Sequence, residues 1–444
     1  MRSETKHRPP FPEKVTSGFL ALLMTVFPLY TGFGGYQSIT SAKYGAFLLL
    51  CGGYVALMAL LGIELCLMGQ AKLPKLRNIW KQSSLVQRLI ALFLLCTVLS
   101  SVFSTHGVKT MIGLTRYEGL LTIALYCLCF LLVSVFGKPQ PWMIYLVGVT
   151  TTLFCLLCIL QLLGYNPFTL YPHGYNYFGA FVDYAGEYLG TIGNVDLVAA
   201  FLCIVIPVLW ISILRRSEKI KYLLFIPLCL ALLVLLWSHV DAALVGVFGG
   251  FFLSLPVVLP ISKKKRALVG FCILGLVILG TLVLFCYGFR NGILHEVHEI
   301  LHGRLNDKFG SKRIYIWRNV LALVPQHLWF GAGPDTLSTA MIKGFSRYLP
   351  RLDITAYASI DVAHNEYFNI LYHQGIFALA SYLGALIVSA IQWVKMGDNT
   401  AKAICGGAVL CYCIQGFFGI SMCMTAPFLW ISLALFNANT HQNT

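Results

Sequence analysis

Apolar runs about twenty residues long recur along most of this 444-residue chain, separated by segments that hold nearly all of its charge. A helix of that length matches a hydrocarbon core of about 30 Å at roughly 1.5 Å per residue, so the chain is constrained to a polytopic helical membrane fold. Twelve runs are read, at 17–36, 44–68, 87–104, 119–136, 142–163, 195–214, 221–237, 240–261, 267–289, 366–394, 401–420 and 424–439. Charged residues make up 11% of the chain and hydrophobic ones 58%, with a mean hydropathy of +0.77. Soluble domains run near ~25% charged, so a soluble fold is excluded, and intrinsic disorder, collagen and coiled coil go with it. The expected fold class is all-α: about twelve transmembrane helices and a large extracytoplasmic loop containing short helices.

The placement of lysine and arginine sets the direction. With the N-terminus cytoplasmic, the cytoplasmic segments hold Arg2, Lys6, Arg8, Lys14, Lys72, Lys75, Arg77, Lys81, Arg88, Lys138, Arg215, Arg216, Lys219, Lys221, Lys263, Lys264, Lys265, Arg266, Lys395 and Lys402. The short loops of the other face hold only Lys43, Lys109 and Arg116. Both termini are therefore expected in the cytoplasm, and the first run, which lacks a small-residue cleavage site, reads as an uncleaved span. The chain divides into helices one to nine (1–289), a basic extracytoplasmic loop (290–365), and helices ten to twelve with a short cytoplasmic tail (366–444). The basic loop carries Arg290, Arg304, Lys308, Lys312, Arg313, Arg318, Lys343, Arg347 and Arg351. Long loops translocate regardless of charge, so topology does not account for that concentration. The outer loop 164–194 has Asp183 and Glu187, no lysine or arginine, and many aromatic residues. All fifteen cysteines lie in apolar stretches, where Cys155-Leu-Leu-Cys158 reads as packing rather than a redox or zinc motif. Asp241, at the start of the eighth run, reads as interfacial.

Within the basic loop, Ile314, Trp317, Val320, Leu321 and Val324 recur at helical spacing after Arg313. They predict an amphipathic helix lying on the membrane interface with Trp317 as anchor, broken at Pro325 and the Gly331-Ala-Gly333-Pro334 turn. A guanidinium there suits a lipid-linked phosphate, through paired hydrogen bonds; a solvated basic face is the plain alternative. Further on, His364-Asn-Glu-Tyr-Phe-Asn opens the tenth run. A helix N-terminus disfavours imidazolium, so His364 is expected to stay neutral and able to take a proton. Asn365 can cap the helix or hold a substrate hydroxyl, or the pair can be no more than a polar lead-in to the span. His373 lies off the face of His364, so the two do not form a metal-ligand pair.

Taken together, Arg313, Trp317, Pro325, Phe330-Gly-Ala-Gly333, His364-Asn365 and Gly375 resemble the O-antigen ligase and O-antigen polymerase family of bacterial membrane glycosyltransferases. Arg116-Tyr-Glu-Gly119, Asn166-Pro-Phe168 and Gly190-Thr-Ile-Gly-Asn194-Val-Asp support the likeness, which runs over roughly residues 85–435. Val240-Asp241-Ala242 stands where many members carry a Ser-Arg-Gly-like turn, and Ala378 stands where the ligase pattern prefers Gly, Thr or Tyr.

The resemblance implies a multi-pass protein of the bacterial cytoplasmic membrane that takes glycan from an undecaprenyl-pyrophosphate carrier. It passes the glycan to a hydroxyl on an acceptor glycan, lipid or protein, with inversion and without metal, nucleotide or other cofactor. It places the catalytic roles on His364 and Arg313, with Arg116, Arg318, Asn365 and Asn194 expected to bind substrate. Polymerisation of surface-polysaccharide repeat units is the expected activity; an O-antigen-type ligase and a protein O-oligosaccharyltransferase are the alternatives within the family. A flippase or transporter of lipid-linked glycan is the alternative outside it. The expected partners are the lipid-linked glycan, the acceptor and membrane lipid, and no nucleic acid.

Overall fold

The structure, a computed structural model, describes residues 10–69, 76–172, 188–349 and 354–438. The protein is mostly helical. Among the described residues, eight helices are long and apolar enough to cross a membrane: Ile39–Leu67, Leu85–Phe103, Pro141–Leu162, Val195–Arg215, Lys219–Trp237, Asp241–Val258, Lys263–Cys286 and Glu366–Lys395. The runs at 17–36, 119–136, 401–420 and 424–439 are also helical, as Pro10–Leu29, Leu120–Phe136, Thr400–Gly416 and Ala426–Phe436, but they are shorter or more polar. Ala426–Phe436 has 11 residues, about 16 Å of helix, or half of a hydrocarbon core. Eight candidate spans are thus supported, and twelve remains an expectation.

Local chemistry explains where these helices begin. Before Leu85–Phe103, the Ser84 hydroxyl accepts from the Gln87 amide, and the Gln87 carboxamide accepts from the Ser84 amide at 2.8 Å. This reciprocal cap satisfies two donors that the first turn leaves unpaired. Asn194 and Asn365 cap Val195–Arg215 and Glu366–Lys395 in a similar way, each side-chain oxygen accepting from two main-chain amides. Val195–Arg215 is the hub of the bundle, buried over 83% of its apolar window, whereas Lys263–Cys286 is only 6% buried and faces outward along nearly its whole length. The fifteen cysteines are free thiols, and Cys155 and Cys158 are buried in the core.

The basic loop is more structured than short helices alone. It holds helices Ile293–Leu301 and Phe309–His327 and a β-hairpin, β1 (Phe345–Leu349) antiparallel to β2 (Ile354–Ala358), which is a small departure from an all-α fold. Gly310, Ser311 and Lys312 are left-handed, so the regular turns of the second helix begin at Arg313. The helix runs through Pro325 to His327 instead of breaking there. Its buried stripe is Ile316, Val320 and Val324: Val320 and Val324 lie on the expected face, whereas Ile316 is buried in place of Ile314 and Trp317, which are half-buried, and Leu321, which is exposed. Ile316 and Val320 pack with Ala332, Leu337, Ile360, Ala363 and Tyr372, so the helix docks on protein. Trp317, expected as a membrane anchor, is enclosed by Phe368, Phe417 and Phe418 at 5.6, 5.6 and 6.1 Å between ring centroids. Periodicity identified an apolar helix but not what its apolar face meets.

Candidate active site

One crossing positions the site. The helix Glu366–Lys395 loses its helical backbone at Gly375, where φ is 85° and ψ 179°, a region open almost only to glycine. The segment 328–333 runs through the gap. The Ile376 amide donates to the Leu328 carbonyl (2.8 Å), the Ala332 amide to Tyr372 (2.8 Å) and the Gly333 amide to His373 (3.0 Å). Ser100 clamps the His373 carbonyl from Leu85–Phe103 with a 2.6 Å hydrogen bond. A Cβ on Gly331 would lie 2.2 Å from the His373 oxygen, and one on Gly375 2.3 Å from the Trp329 oxygen. The glycines that are separate in the sequence motif therefore face each other across two backbones in contact.

From this fixed crossing the helix runs back to its first turn, where His364 and Asn365 sit. The Asn365 oxygen accepts from the Tyr367 and Phe368 amides, both at 3.0 Å. Its Nδ2 is buried and, among the described residues, unpartnered. One side chain therefore caps the helix and presents a donor. His364 is half-buried and left-handed (φ 48°), a conformation that a non-glycine residue keeps only when its surroundings impose it. The Ala363 amide, bonded to the Asn369 side chain at 3.3 Å, helps fix the preceding peptide.

Arg116 reaches this point from a turn before Leu120–Phe136. Its Nε and Nη2 each donate to an oxygen of Asp361 at 2.9 Å, a paired bond three residues before His364. Its Nη1 contacts the Met422 sulfur at 3.6 Å. Arg313 approaches from the first regular turn of its helix, donating from Nε to the Phe418 carbonyl (2.8 Å) and from Nη1 to Gly310 (3.0 Å). The segment between Thr400–Gly416 and Ala426–Phe436 thus holds both arginines. Asn194 caps Val195–Arg215 through bonds from the Asp196 and Leu197 amides at 2.9 and 3.2 Å, which sets Asp196 in the first turn.

These groups share one electrostatic environment. Burial pushes the His364 imidazole down to about 4; Asp196 and Asp361 oppose the shift, and the Arg313 and Arg116 guanidiniums add to it. The ring is therefore neutral at pH 7, in the direction expected from its sequence position. Two helix N-termini, two arginines and a neutral imidazole make a place for an anion beside a proton acceptor.

Of the residues expected from sequence, the structure brings His364, Asn365, Arg313 and Arg116 together, with Asn194 joined to them through Asp196. Arg318 is outside the group: it is 59% exposed and pairs with Asp307 at 3.0 Å on the outer surface of its helix. Most of the aromatic loop falls at 173–187, outside the described residues. Asp196, Asp335 and Asp361 were not singled out. Asp196 lies within the Asn-Val-Asp stretch and Asp361 just before His364, so each had a positional signal. Asp335, which holds the Thr115–Arg116 turn (2.8–3.0 Å), had none beyond following Gly333-Pro334.

Residues 226–383 match a family model described as O-antigen ligase. The match takes in the helix of Arg313, the Gly331–Gly333 crossing, His364-Asn365 and Gly375, and it supports the O-antigen ligase and polymerase family for this chain. No curated protein matches the chain.

Proposed function

From the match to O-antigen ligase, we propose that the protein is a bacterial inner-membrane glycosyltransferase that transfers glycan from undecaprenyl pyrophosphate to an acceptor hydroxyl, extending a surface polysaccharide. The observation that carries this reading is the convergence of Arg313 and Arg116 on a neutral His364 at the head of the Glu366–Lys395 helix. In this reading both termini are cytoplasmic and the site faces the opposite side, where the carrier presents its glycan.

His364 accepts the proton of the acceptor hydroxyl as that oxygen attacks the anomeric carbon. A new carbon–oxygen bond forms on one face while the bond to the pyrophosphate oxygen breaks on the other. Its electron pair leaves with the lipid pyrophosphate, so the anomeric configuration inverts. The imidazolium then returns its proton to water. Arg313, helped by the two helix N-termini, stabilises the charge that grows on the leaving pyrophosphate. The bound carrier also corrects the basicity of His364. Burial is the main cause of the fall to about 4, and the carrier's negative charge offsets the smaller part that the guanidiniums add, so the ring becomes a better base when substrate is present. The orphaned Asn365 amide supplies a donor to a substrate oxygen. Since pyrophosphate leaves readily, the side chains need only position the reactants and hold charge.

The same donor chemistry serves polymerase, ligase and protein O-oligosaccharyltransferase; the acceptor tells them apart. The description of the matched family favours ligation as the second reading. Purified protein given lipid-linked oligosaccharide with a glycan, a lipid-core or a peptide acceptor, one at a time, separates them. Polymerisation predicts a ladder of longer lipid-linked chains with no other acceptor added. A single transfer to lipid or peptide, without a ladder, would replace polymerase by that alternative.

A further inference from the structure

Asp335 lies two residues beyond the crossing segment 328–333, on the chain that leaves it, and is 3% exposed. Its Oδ2 accepts from the main-chain amides of Thr115 (2.9 Å) and Arg116 (2.8 Å), its Oδ1 from the Thr115 hydroxyl (3.0 Å), and its own carbonyl from the Leu114 amide (3.3 Å). The turn closes on the carboxylate so tightly that a Cβ on Gly113, whose φ is 101°, would lie 2.3 Å from Oδ2. Asp335 is itself left-handed (φ 54°). Its segment is anchored by Gly333 on the His373 carbonyl, by Ser104 on the Ala332 carbonyl (2.6 Å), and by Thr336 on the Gly333 carbonyl (2.7 Å).

These contacts form a closed circuit. The Glu366–Lys395 helix holds the crossing segment; the chain leaving that segment carries Asp335, which holds the backbone of Arg116. The Arg116 guanidinium holds Asp361, and Asp361 leads in three residues to His364 at the head of the same helix. Each link is a hydrogen bond or a short run of chain, and Asp335 is where the circuit closes between two parts of the sequence. A buried carboxylate is unfavourable unless it is well bonded. Three donors offset that cost here, and each of them lies on the turn that aims Arg116.

The geometry points to Asp335 as a positioning residue for the transfer reaction: by fixing the Thr115–Arg116 turn it sets the Arg116–Asp361 pair and so the left-handed loop that presents His364. This inference rests on the transfer reaction proposed above and names the residue that aligns its base. Removing Asp335 should loosen His364 without removing any group that touches substrate.

The test uses the full-length protein in lipid vesicles with Asp335→Ala, Asp335→Asn and the milder Thr115→Val. Two readouts are taken: kcat and KM for lipid-linked oligosaccharide, and the rate at which diethyl pyrocarbonate modifies His364, followed by peptide mass spectrometry. A base displaced by ~1 Å loses on the order of 100-fold in rate, so Asp335→Ala should lower kcat by that order with KM within about twofold. His364 should then be modified several times faster. Asp335→Asn should restore both readouts to within a few-fold of wild type, because its oxygen can take the two amides while its nitrogen donates to Thr115. Should Asp335→Ala fail to insert, Thr115→Val, which loses one of the three bonds, should show the same pattern at smaller scale. Unchanged kcat and unchanged His364 modification in folded Asp335→Ala, or in Thr115→Val where Ala does not insert, would overturn the inference. If wild-type protein transfers no glycan, the function proposed above fails, while the modification rate still decides whether Asp335 positions His364.

Discussion

Replacing Gly375 with alanine tests the crossing on which the site is built. The residue holds φ 85° and ψ 179°, and strain of about 1–3 kcal/mol attends a side chain in such a region. Sterics add to this. The new Cβ would sit 2.3 Å from the Trp329 oxygen, 2.6 Å from its carbonyl carbon and 2.9 Å from the Gly331 nitrogen. All three atoms are backbone, so no side chain can swing aside, and relief requires parting the strands that carry the Ile376, Ala332 and Gly333 hydrogen bonds. With ~1 kcal/mol for each of the three bonds lost, the total is about 4–6 kcal/mol. In thermal melting of the detergent-solubilised protein, that should appear as a fall of about 5 °C or more. Gly280→Ala is the control: it lies in the outward-facing helix Lys263–Cys286 with nothing within 4 Å of the new Cβ, and it should leave melting unchanged or slightly raised. Gly375→Ala melting within a degree of wild type would refute the close crossing and, with it, the placement of the Glu366–Lys395 helix against 328–333.

Three further outcomes are expected. Asn365→Ser keeps a good helix cap but removes the orphaned amide, so melting should change little while transfer falls about tenfold, the worth of one buried hydrogen bond; equal activity would assign Asn365 to capping alone. Because neutral His364 is the active form and burial pushes its pKa down to about 4, kcat/KM, which reports the free enzyme, should be level from neutral pH to about pH 5 and fall as pH drops through 4; an acid limb near 6.5 would contradict this. Arg313→Lys keeps a cation but loses the forked contacts with Phe418 and Gly310. It should weaken transfer by about tenfold, recovered only partly at high carrier concentration, and a variant with wild-type kinetics would remove Arg313 from the mechanism.

What could be read from the sequence and what could not follows from the range of the interactions. Apolar runs report on the bilayer, a local solvent, so the helical fold was legible segment by segment. His364 and Asn365 were legible because a helix N-terminus is a local event, and the charge of the 290–365 loop stood out against the topology rule. The buried stripe of the Arg313 helix was legible at Val320 and Val324 and missed at Ile316, because Ile314, Trp317 and Leu321 fit the same helical spacing. Only the partner surface, supplied by Ala332, Ile360 and Ala363, selects between them. The crossing at Gly331 and Gly375 was visible as glycines without a reason, since the reason is the contact of two backbones. Asp335 left no trace because its partners are amides of Thr115 and Arg116, and a main-chain donor carries no sequence signal.

The central claim is that a neutral imidazole framed by guanidiniums takes the acceptor proton in glycan transfer from a lipid pyrophosphate. His364→Ala in purified, vesicle-embedded protein, assayed with lipid-linked oligosaccharide, tests it most directly. General-base catalysis predicts that product formation falls on the order of 100-fold or more while insertion and melting match wild type. Product formed at the wild-type rate by that folded variant would contradict the account.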